Sequence, residues 1–479
     1  MNVKELLLGS LRSKGVKYGG YASLITFAVI VGLIVVNLIV QQFEVQADLT
    51  ENSIYTLSDQ TLGIIDDLGQ DVNIWITASR RNADPQLVEA LQVYGTASPR
   101  ISVETIDVDT NPGFAEQYDP DGEGLRNGTI VVAGDENFRV IPQRDLYSIS
   151  YRNPDNPQVL GLNVERRITN ALIFVATGET PVIYQMTGQG QVPLGRLGIA
   201  QEVERDNYEV STINLIQEDA VPSDAAVLTI ISPRSDITPA EADKIREYLD
   251  AGGRAFISVD ISAGEIPVLN QLLEDYGVQY DRGVVIEGND RYHTGNQFYL
   301  VPDMAEHEIL EPLREDGIPI MFPVSMAVEL ADVRRRTLTF EPLLTTSEDS
   351  WLRTDLENDA TEQIEGDIDG PHTVAMAVWD RDTDTGESTT RLVVTGSASF
   401  LGPIGPFGTV RGNTEFFLNA TSWLHDRQET ISVRPKFTFL LPLNLTQAQI
   451  LIFSGIFVVL IPLGLFIGAL VVYFRRRHL

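Results

Sequence analysis

The sequence predicts an α/β protein in which two successive α/β domains lie between an N-terminal and a C-terminal transmembrane helix. Short apolar runs typical of strands alternate with segments of helical spacing along most of the chain. Two uncharged apolar runs of membrane length, 21–40 and 450–474, lie near the two ends. The 479 residues suffice for two or three domains, and no repeat or low-complexity tract interrupts them.

Residues 21–40 and 450–474 are the predicted transmembrane helices, because about 20 apolar residues span a hydrocarbon core of roughly 30 Å. A cleaved signal peptide would need a shorter apolar core and a small-residue cleavage site, which the sequence after Val40 lacks. Basic residues dominate the tails 1–20 and 475–479, so both tails are predicted to be cytoplasmic. The protein is therefore expected in the cytoplasmic membrane, with its main body outside the cytoplasm.

Composition excludes several classes of function. The formal net charge of -32 makes nucleic acid a poor partner. The absence of cysteine rules out disulfides, thiolate metal sites and cysteine nucleophiles. The five histidines show no i, i+4 pair, which argues against a histidine metal centre. We therefore predict no metal site and no cofactor.

The first predicted domain covers residues 43–178. Ser58 is a candidate N-cap for a helix that ends near Gly69. The remaining predicted elements are strands at 71–77 and 101–108, a hairpin formed by 128–134 and 137–142, and helices at 85–95 and 165–177. This order predicts an α/β unit.

The second predicted domain covers residues 179–440. Its strands are predicted at 181–186, 208–215, 225–231 and 254–260, and its helices near 196–207, at 239–250 and at 268–277. Thr238 and Glu241 form a capping-box signature, with Pro239 at the first helical position. Alternating strands and helices predict a doubly wound, mostly parallel sheet.

The C-terminal part of the second domain is predicted to be rich in strands. Segments 372–380 and 390–400 flank the acidic tip 381–387 and are expected to pair or to be neighbours. The acidic segment 346–370 shows little periodicity and predicts an exposed loop. Residues 415–426 predict a final helix.

The candidate ligand or partner site consists of two loops that follow predicted strands of the second domain. Glycine-containing loops at the carboxyl ends of parallel strands line crevices where ligands bind, although they also serve as plain turns. A nucleotide P-loop is excluded, because no Gly-Lys dipeptide occurs in the chain. The candidate residues are Thr187, Gly188, Gln189, Gly190 and Gln191 in the first loop and Ser232 and Arg234 in the second.

Other motifs do not define a catalytic or metal site. Acidic stretches that begin at Asp107, Asp119 and Asp380 resemble calcium loops but lack the required Gly and Glu spacing, so they are either solvated turns or weak calcium sites. No G-x-S-x-G motif is present, and we predict no catalytic residues.

The predicted membrane helices contain features of helix packing. Gly464 and Gly468 form a G-x-x-x-G spacing, which permits close approach of another helix, although glycine is common in such helices. Asn37 places an amide inside the first predicted span.

Several stretches together resemble one known family. They are LTENSIYTLSDQT (49–61), IDVDTNPGFAEQY (106–118), ERRITNALI (165–173), VIYQMTGQGQ (182–191), the segment 221–260 and SWLHDRQETISVRPK (422–436). On these stretches the sequence resembles the GldG-like auxiliary components of gliding-motility-type ABC transport systems. The resemblance extends over most of the chain and includes the order of its elements.

The resemblance implies a flavodoxin-like domain, related to class I glutamine amidotransferases but without their catalytic residues. It also implies a non-catalytic subunit that works beside an ABC permease and a separate cytoplasmic ATPase. The expected function is docking on the permease through the two membrane helices while the body binds envelope polysaccharide, protein cargo or another subunit. The alternatives are a membrane-anchored extracytoplasmic hydrolase and a polysaccharide-binding protein. Cargo, transport direction and any role in gliding do not follow from the sequence.

Overall fold

The computed structural model describes residues 24–33, 56–78, 84–119, 125–150, 158–358, 360–381 and 388–426, and single positions at 462, 464, 467, 468 and 474. Residues 1–53 and 54–479 form two compact units, and in the first unit residues 24–33 are helical. Much of both predicted spans, 21–40 and 450–474, lies outside the described residues. Within the described residues, no helix is long and apolar enough to cross a membrane.

Residues 56–177, called the N-terminal region below, form a small α/β layer. Its helices are α1 (Asp59–Asp66), α2 (Pro85–Ala97), α3 (Pro112–Tyr118) and α4 (Val164–Thr177), and its strands are β1 (Val72–Thr77), β2 (Ile101–Ile106), β3 (Ile130–Ala133), β4 (Phe138–Ile141), β5 (Tyr147–Ser150) and β6 (Gln158–Leu162). One sheet has the order β2-β1-β3-β4, with β1 parallel to β2 and antiparallel to β3. Helices α1, α2 and α4 cover the sheet with a shared apolar core that includes Ile65, Leu87 and Leu172.

Local sequence signals explain the ends of these elements. The Ser58 hydroxyl accepts a hydrogen bond from the Thr61 backbone N–H at 3.2 Å, so Ser58 is the N-cap as predicted. Helix α1 ends at Asp66, three residues before the predicted stop at Gly69. The predicted hairpin is confirmed, since β3 and β4 pair antiparallel with Ala133 opposite Phe138.

Residues 180–426, called the large-sheet region below, hold the remaining elements. The helices are α5 (Leu194–Leu197), α6 (Ala200–Arg205), α7 (Pro239–Asp250), α8 (Pro267–Asp275), α9 (Glu311–Glu315) and α10 (Arg411–Leu424). The longer strands are β7 (Val182–Met186), β8 (Glu209–Ile213), β9 (Ala225–Ile231), β10 (Arg254–Ser258), β17 (Leu338–Thr345), β20 (Thr373–Arg381) and β21 (Ser388–Thr395). The short strands are β11 (Val278–Asp281), β12 (Val284–Glu287), β13 (Tyr299–Leu300), β14 (Asp303–Met304), β15 (Phe322–Pro323), β16 (Ala327–Leu330), β18 (Ser350–Arg353) and β19 (Ile368–Asp369).

The large sheet has the order β14-β17-β20-β21-β10-β9-β7-β8. Strands β8, β7, β9, β10 and β21 run parallel, and β20, β17 and β14 extend the sheet in antiparallel fashion. The parallel part follows the order of flavodoxin-type doubly wound sheets. The predicted pairing of segments 372–380 and 390–400 is confirmed by β20 and β21, whereas the tip 382–387 lies outside the described residues.

Helices cover both faces of this sheet. Helices α5, α6 and α10 contribute Leu194, Val203 and Phe417 to the core on one face. On the other face, α7 and α8 contribute residues such as Ile245 and Leu269. The predicted doubly wound arrangement is therefore present, and covering on both faces leaves the central strands β9 and β10 almost fully buried.

Two predictions about this region were wrong. The helix expected at 196–207 is split into α5 and α6, because Gly198 adopts φ +79° and ends the first turn. Segment 346–370 is not simply an exposed loop, since it contains the buried strand β18 and the short strand β19. Within it, the almost fully buried Arg353 donates through Nε to Asp367 at 2.7 Å, so part of the local acidic charge is neutralised inside the protein.

Candidate functional site

The two candidate loops lie side by side at the carboxyl end of the parallel sheet. Loop 187–191 follows β7, and Ser232 and Arg234 follow the neighbouring strand β9. The chain leaves β7 toward helices on one face and leaves β9 toward α7 on the other, which makes this the topological switch point of the sheet. The Arg234 N–H donates to the Gln189 carbonyl at 2.8 Å. We call these two loops the strand-end crevice, and their ligand role stays a prediction.

Close packing explains the glycines of the first loop. Gly188 and Gly190 have φ values of +114° and +77°, which side chains other than glycine rarely adopt. A Cβ on Gly190 would lie 3.1 Å from the Arg234 Cβ. Thr187 fixes the start of the loop, since its hydroxyl donates to the Ile213 carbonyl at 3.0 Å.

Most polar side chains of the crevice bind one another. Gln189 Nε2 donates to Glu241 Oε2 at 2.8 Å, and Gln189 Oε1 accepts from the Ser235 hydroxyl at 3.0 Å. Gln191 Oε1 accepts from the Gln189 N–H at 2.9 Å. Within the described residues, Gln191 Nε2 and Glu241 Oε1 are buried without a hydrogen-bond partner. The crevice is thus closed mainly by its own contacts.

Ser232 combines an unusual backbone with a short side-chain contact. Its φ is +48°, and its hydroxyl donates to Asp260 Oδ2 at 2.7 Å. The other Asp260 oxygen accepts from the Ala398 and Ser399 N–H groups at 2.8 and 3.1 Å. These bonds tie the ends of β9, β10 and β21 together. Asp260 thus acts as a shared acceptor, with Ser232 on one carboxylate oxygen and groups of residues 398 and 399 on the other.

A second polar centre joins the N-terminal region to the large-sheet region. Arg166 and Arg167, the buried arginine pair, lie on α4 and are 7% and 6% exposed. Arg166 Nε donates to Asp206 Oδ1 at 3.1 Å, its Nη2 also binds Asp206, and its Nη1 donates to Glu415 at 2.8 Å. A planar guanidinium matches a carboxylate with two parallel hydrogen bonds, so this geometry is strong and directional.

Arg167 binds the same acidic group from its other side. Its Nη1 donates to Asp206 at 3.2 Å and its Nη2 to Glu202 at 3.0 Å. Asn170 donates to Asp206 at 3.2 Å as well. Asp206 therefore accepts from both arginines at once, and Glu415 and Glu202 supply further negative charge, which offsets the desolvation cost of burying these groups.

The environment changes the pKa values of the two arginines in opposite directions. Burial lowers the pKa of Arg166, but attraction to Asp206 and Glu415 outweighs burial and raises it above the usual value. Burial lowers the pKa of Arg167, and the positive charges of Arg166 and Arg205 add to this effect. Both guanidinium groups stay charged near neutral pH, because the ordinary arginine pKa exceeds 12.

Sequence reasoning identified ERRITNALI as a helix but missed the buried arginine pair. The signal was present, because this helix carries two adjacent arginines among apolar residues and is buried almost all round. Of the helix-packing residues, Asn37 lies outside the described residues. Gly464 and Gly468 occupy helical positions at which an added Cβ would meet no described atom within 4 Å.

Two protein-family models match the chain. A family described as an ABC-type uncharacterized transport system, auxiliary component, matches residues 180–419, and a domain of unknown function, DUF7088, matches residues 51–147. Among curated proteins, none matches this chain.

Several solved structures match about half of this chain. The mmIFT52 N-terminal domain is 16% identical with a TM-score of 0.37, over 51% of this chain and 97% of its own. A protein described as ThuA-like from Parabacteroides merdae is 11% identical with a TM-score of 0.30, over 56% of this chain and 94% of its own. A protein described as a GMP synthase component from Thermoplasma acidophilum is 11% identical with a TM-score of 0.28, over 52% of this chain and 97% of its own.

The matched family segment contains the whole parallel sheet, both loops of the strand-end crevice and the acidic partners of the buried arginine pair. Because the family model covers residues 180–419, half of the sequence, this chain belongs to the auxiliary-component family of an ABC-type uncharacterized transport system.

Proposed function

We propose that this protein is a non-catalytic accessory subunit of an ABC-type transport system, of the GldG-like kind. It docks on the permease through helices at 21–40 and 450–474, and it presents the body between them outside the cytoplasm. The observation that carries the proposal is the family match over residues 180–419. A separate ATPase supplies the energy, in keeping with the missing Gly-Lys dipeptide.

The contacts of Ser232 in the strand-end crevice favour a structural role over a catalytic one. Asp260, the carboxylate that binds Ser232, accepts three further hydrogen bonds, from the Ala398 N–H and from the N–H and hydroxyl of Ser399. Asp260 is thereby fixed between the ends of three strands, and Ser232 is one of the groups that hold it there. We therefore expect Ser232→Ala to leave transport unchanged as long as the protein folds.

Co-purification with neighbouring gene products tests the docking. Tagged full-length protein should retain a multi-span permease and an ATPase in detergent. Replacing both Gly464 and Gly468 with Leu should release them, because bulky side chains block close helix approach. Gly455→Leu is the matched control, since nine residues of the predicted helix 450–474 would place it on the opposite face from Gly464. If both variants retain the permease and the ATPase equally well, a contact through Gly464 and Gly468 would be ruled out.

Labelling of engineered cysteines tests the location. The chain contains no cysteine, so a single introduced thiol reports one position. Val333→Cys places that thiol at a residue that is 85% exposed, and His478→Cys places it in the C-terminal tail. A membrane-impermeant maleimide should label the first in intact cells and the second only after permeabilisation. The reverse pattern would overturn the proposed topology.

A further inference from the structure

Two adjoining cavities lie where the N-terminal region meets the large-sheet region. Their volumes are about 420 and 290 Å³, and they share lining residues that include Arg144, Arg167 and Arg205. Pockets of roughly 300 to 1,000 Å³ are the usual size for small-molecule ligands. The two cavities together are called the arginine cleft below.

The arginine cleft has a small excess of positive charge although the chain as a whole is acidic. Four acidic lining side chains, Asp145, Glu202, Glu204 and Glu415, and the buried Asp206 that binds two of the arginines stand against six arginines, which are Arg139, Arg144, Arg166, Arg167, Arg205 and Arg411. The chain carries a formal net charge of -32. A concave surface with low-dielectric walls concentrates the field of its lining charges, so this cleft attracts anions that the remaining surface repels.

Three of the four acidic lining residues form ion pairs with arginines of the same cleft, and the fourth, Glu204, is exposed. Glu202 binds Arg167 at 3.0 Å and also binds Arg205. Asp145 binds Arg205 at 2.6 Å, and Glu415 binds Arg166 at 2.8 Å. These carboxylates therefore orient the guanidinium groups and leave little negative charge to repel an incoming anion.

Several guanidinium donors remain available at the opening. Arg144 is 78% exposed and approaches Asp145 only at 3.6 Å. Arg205 directs two of its five N–H donors to described carboxylates. Arg139 stacks on Phe174 at 4.1 Å and donates through Nη2 to the Asn207 amide oxygen at 3.0 Å; its Nε is buried, so only its Nη atoms can reach a ligand. Such donors match the oxygen atoms of carboxylates and phosphates in bidentate geometry.

We propose that the arginine cleft binds a small multiply charged oxyanion, held by Arg144, Arg205 and Arg139 above the buried arginine pair. The ligand bridges the two regions, because Arg139 and Arg144 belong to the N-terminal region and Arg205 belongs to the large-sheet region. Carboxylate and phosphate groups share this recognition chemistry.

Titration of the full-length protein in detergent tests the site. Sodium citrate supplies a tricarboxylate and sodium pyrophosphate a phosphate, each measured by calorimetry at neutral pH and at constant ionic strength maintained with sodium chloride. We expect at least one probe to bind, and the preferred probe distinguishes carboxylate from phosphate ligands. The double variant Arg144→Gln with Arg205→Gln should weaken binding about tenfold or more, because two charge-assisted contacts are lost.

A matched control separates the site from general charge effects. Arg291→Gln removes an exposed arginine that is not among the residues lining the cleft, and this variant should bind the probes like the unmodified protein. If the double variant unfolds, Arg144→Gln alone decides the question, because its exposed side chain contributes little to folding. Absence of binding by both probes, or equal binding by Arg144→Gln and Arg291→Gln, would overturn the proposal.

Discussion

The strand-end crevice and the arginine cleft are both polar, but their polar groups are used differently. In the crevice, Gln189 links Glu241 and Ser235, and the loops close over one another. In the cleft, the carboxylates hold arginines in place while further guanidinium donors face open space. The two sites therefore differ in how much hydrogen-bonding capacity they leave for a ligand. Surplus hydrogen-bonding capacity beside a cavity is the more informative feature.

The strongest test of this contrast is Arg166→Met at the base of the cleft. The substitution leaves Asp206 and Glu415 buried with fewer partners, which we expect to cost about 3 to 5 kcal/mol of unfolding free energy. Urea unfolding of the full-length protein measures the loss. Arg144→Met is the control and should change stability by no more than about 0.5 kcal/mol, because that side chain is exposed. Similar urea midpoints for the two variants would mean that the ion pairs of Arg166 do not stabilise the contact between the N-terminal region and the large-sheet region.

A second test concerns His307, a buried side chain that stays neutral instead of forming an ion pair. Burial lowers the pKa of His307 to about 4, and the positive charge of Arg391 adds to the effect. His307 Nδ1 accepts from the Ile309 N–H at 3.1 Å. A proton added to Nδ1 would point at that N–H group, and the hydrogen bond would be lost. The unfolded chain takes up this proton near pH 6.5, whereas the folded protein resists it until about pH 4.

Stability should therefore fall by about 3 kcal/mol from His307 alone as the pH decreases from 6.5 to 4. His307→Asn keeps an acceptor for the Ile309 N–H and removes the titration. Unfolding midpoints of this variant should depend less on pH across that window. An unchanged slope would show that other groups cause the pH dependence.

Gln189→Ala tests whether the strand-end crevice is structural. The change removes a donor to the buried Glu241 carboxylate, and we expect a loss of about 1 to 3 kcal/mol. Gln217→Ala is the control, because Gln217 is exposed. The melting temperatures of the two variants, measured by thermal unfolding, give the comparison. A variant that keeps full stability but loses retention of the transport partners would instead make Gln189 a contact residue.

The smallest expected effect is that of Gly190→Ala. Its φ of +77° and the 3.1 Å approach to Arg234 should cost about 1 to 2 kcal/mol. Gly195→Ala is the control, because an added Cβ there meets no described atom within 4 Å and alanine favours the helix. Equal melting temperatures would indicate that the loop relaxes without strain.

Local patterns predicted much of the fold. The capping box of Thr238 and Glu241 is present, with Thr238 N–H donating to Glu241 at 2.8 Å, because such a signal lies within four residues. Apolar runs such as 225–231 identified buried parallel strands for the same reason. The switch-point position of the two candidate loops followed from the order of strands and helices.

The missed features depend on residues far apart in sequence. Arg166 binds Asp206 and Glu415, which are 40 and 249 positions away, and no local periodicity marks such partners. Strand β18 was missed because acidic neighbours hid its burial, which needs the pairing with β12. A high content of charged residues predicts an exposed segment on average. It does not predict that one arginine, Arg353, is buried in an ion pair with Asp367.

The separate apolar core of the N-terminal region makes that region exchangeable. Its helices and sheet form a hydrophobic core of their own. Its contact with the large-sheet region includes the ion pairs of Arg166 and Arg167 with three acidic residues, Asp206, Glu202 and Glu415. Chimeras that join the N-terminal region of one relative to the large-sheet region of another should fold when the arginines and their acidic partners are both kept, even if the surrounding surfaces have diverged.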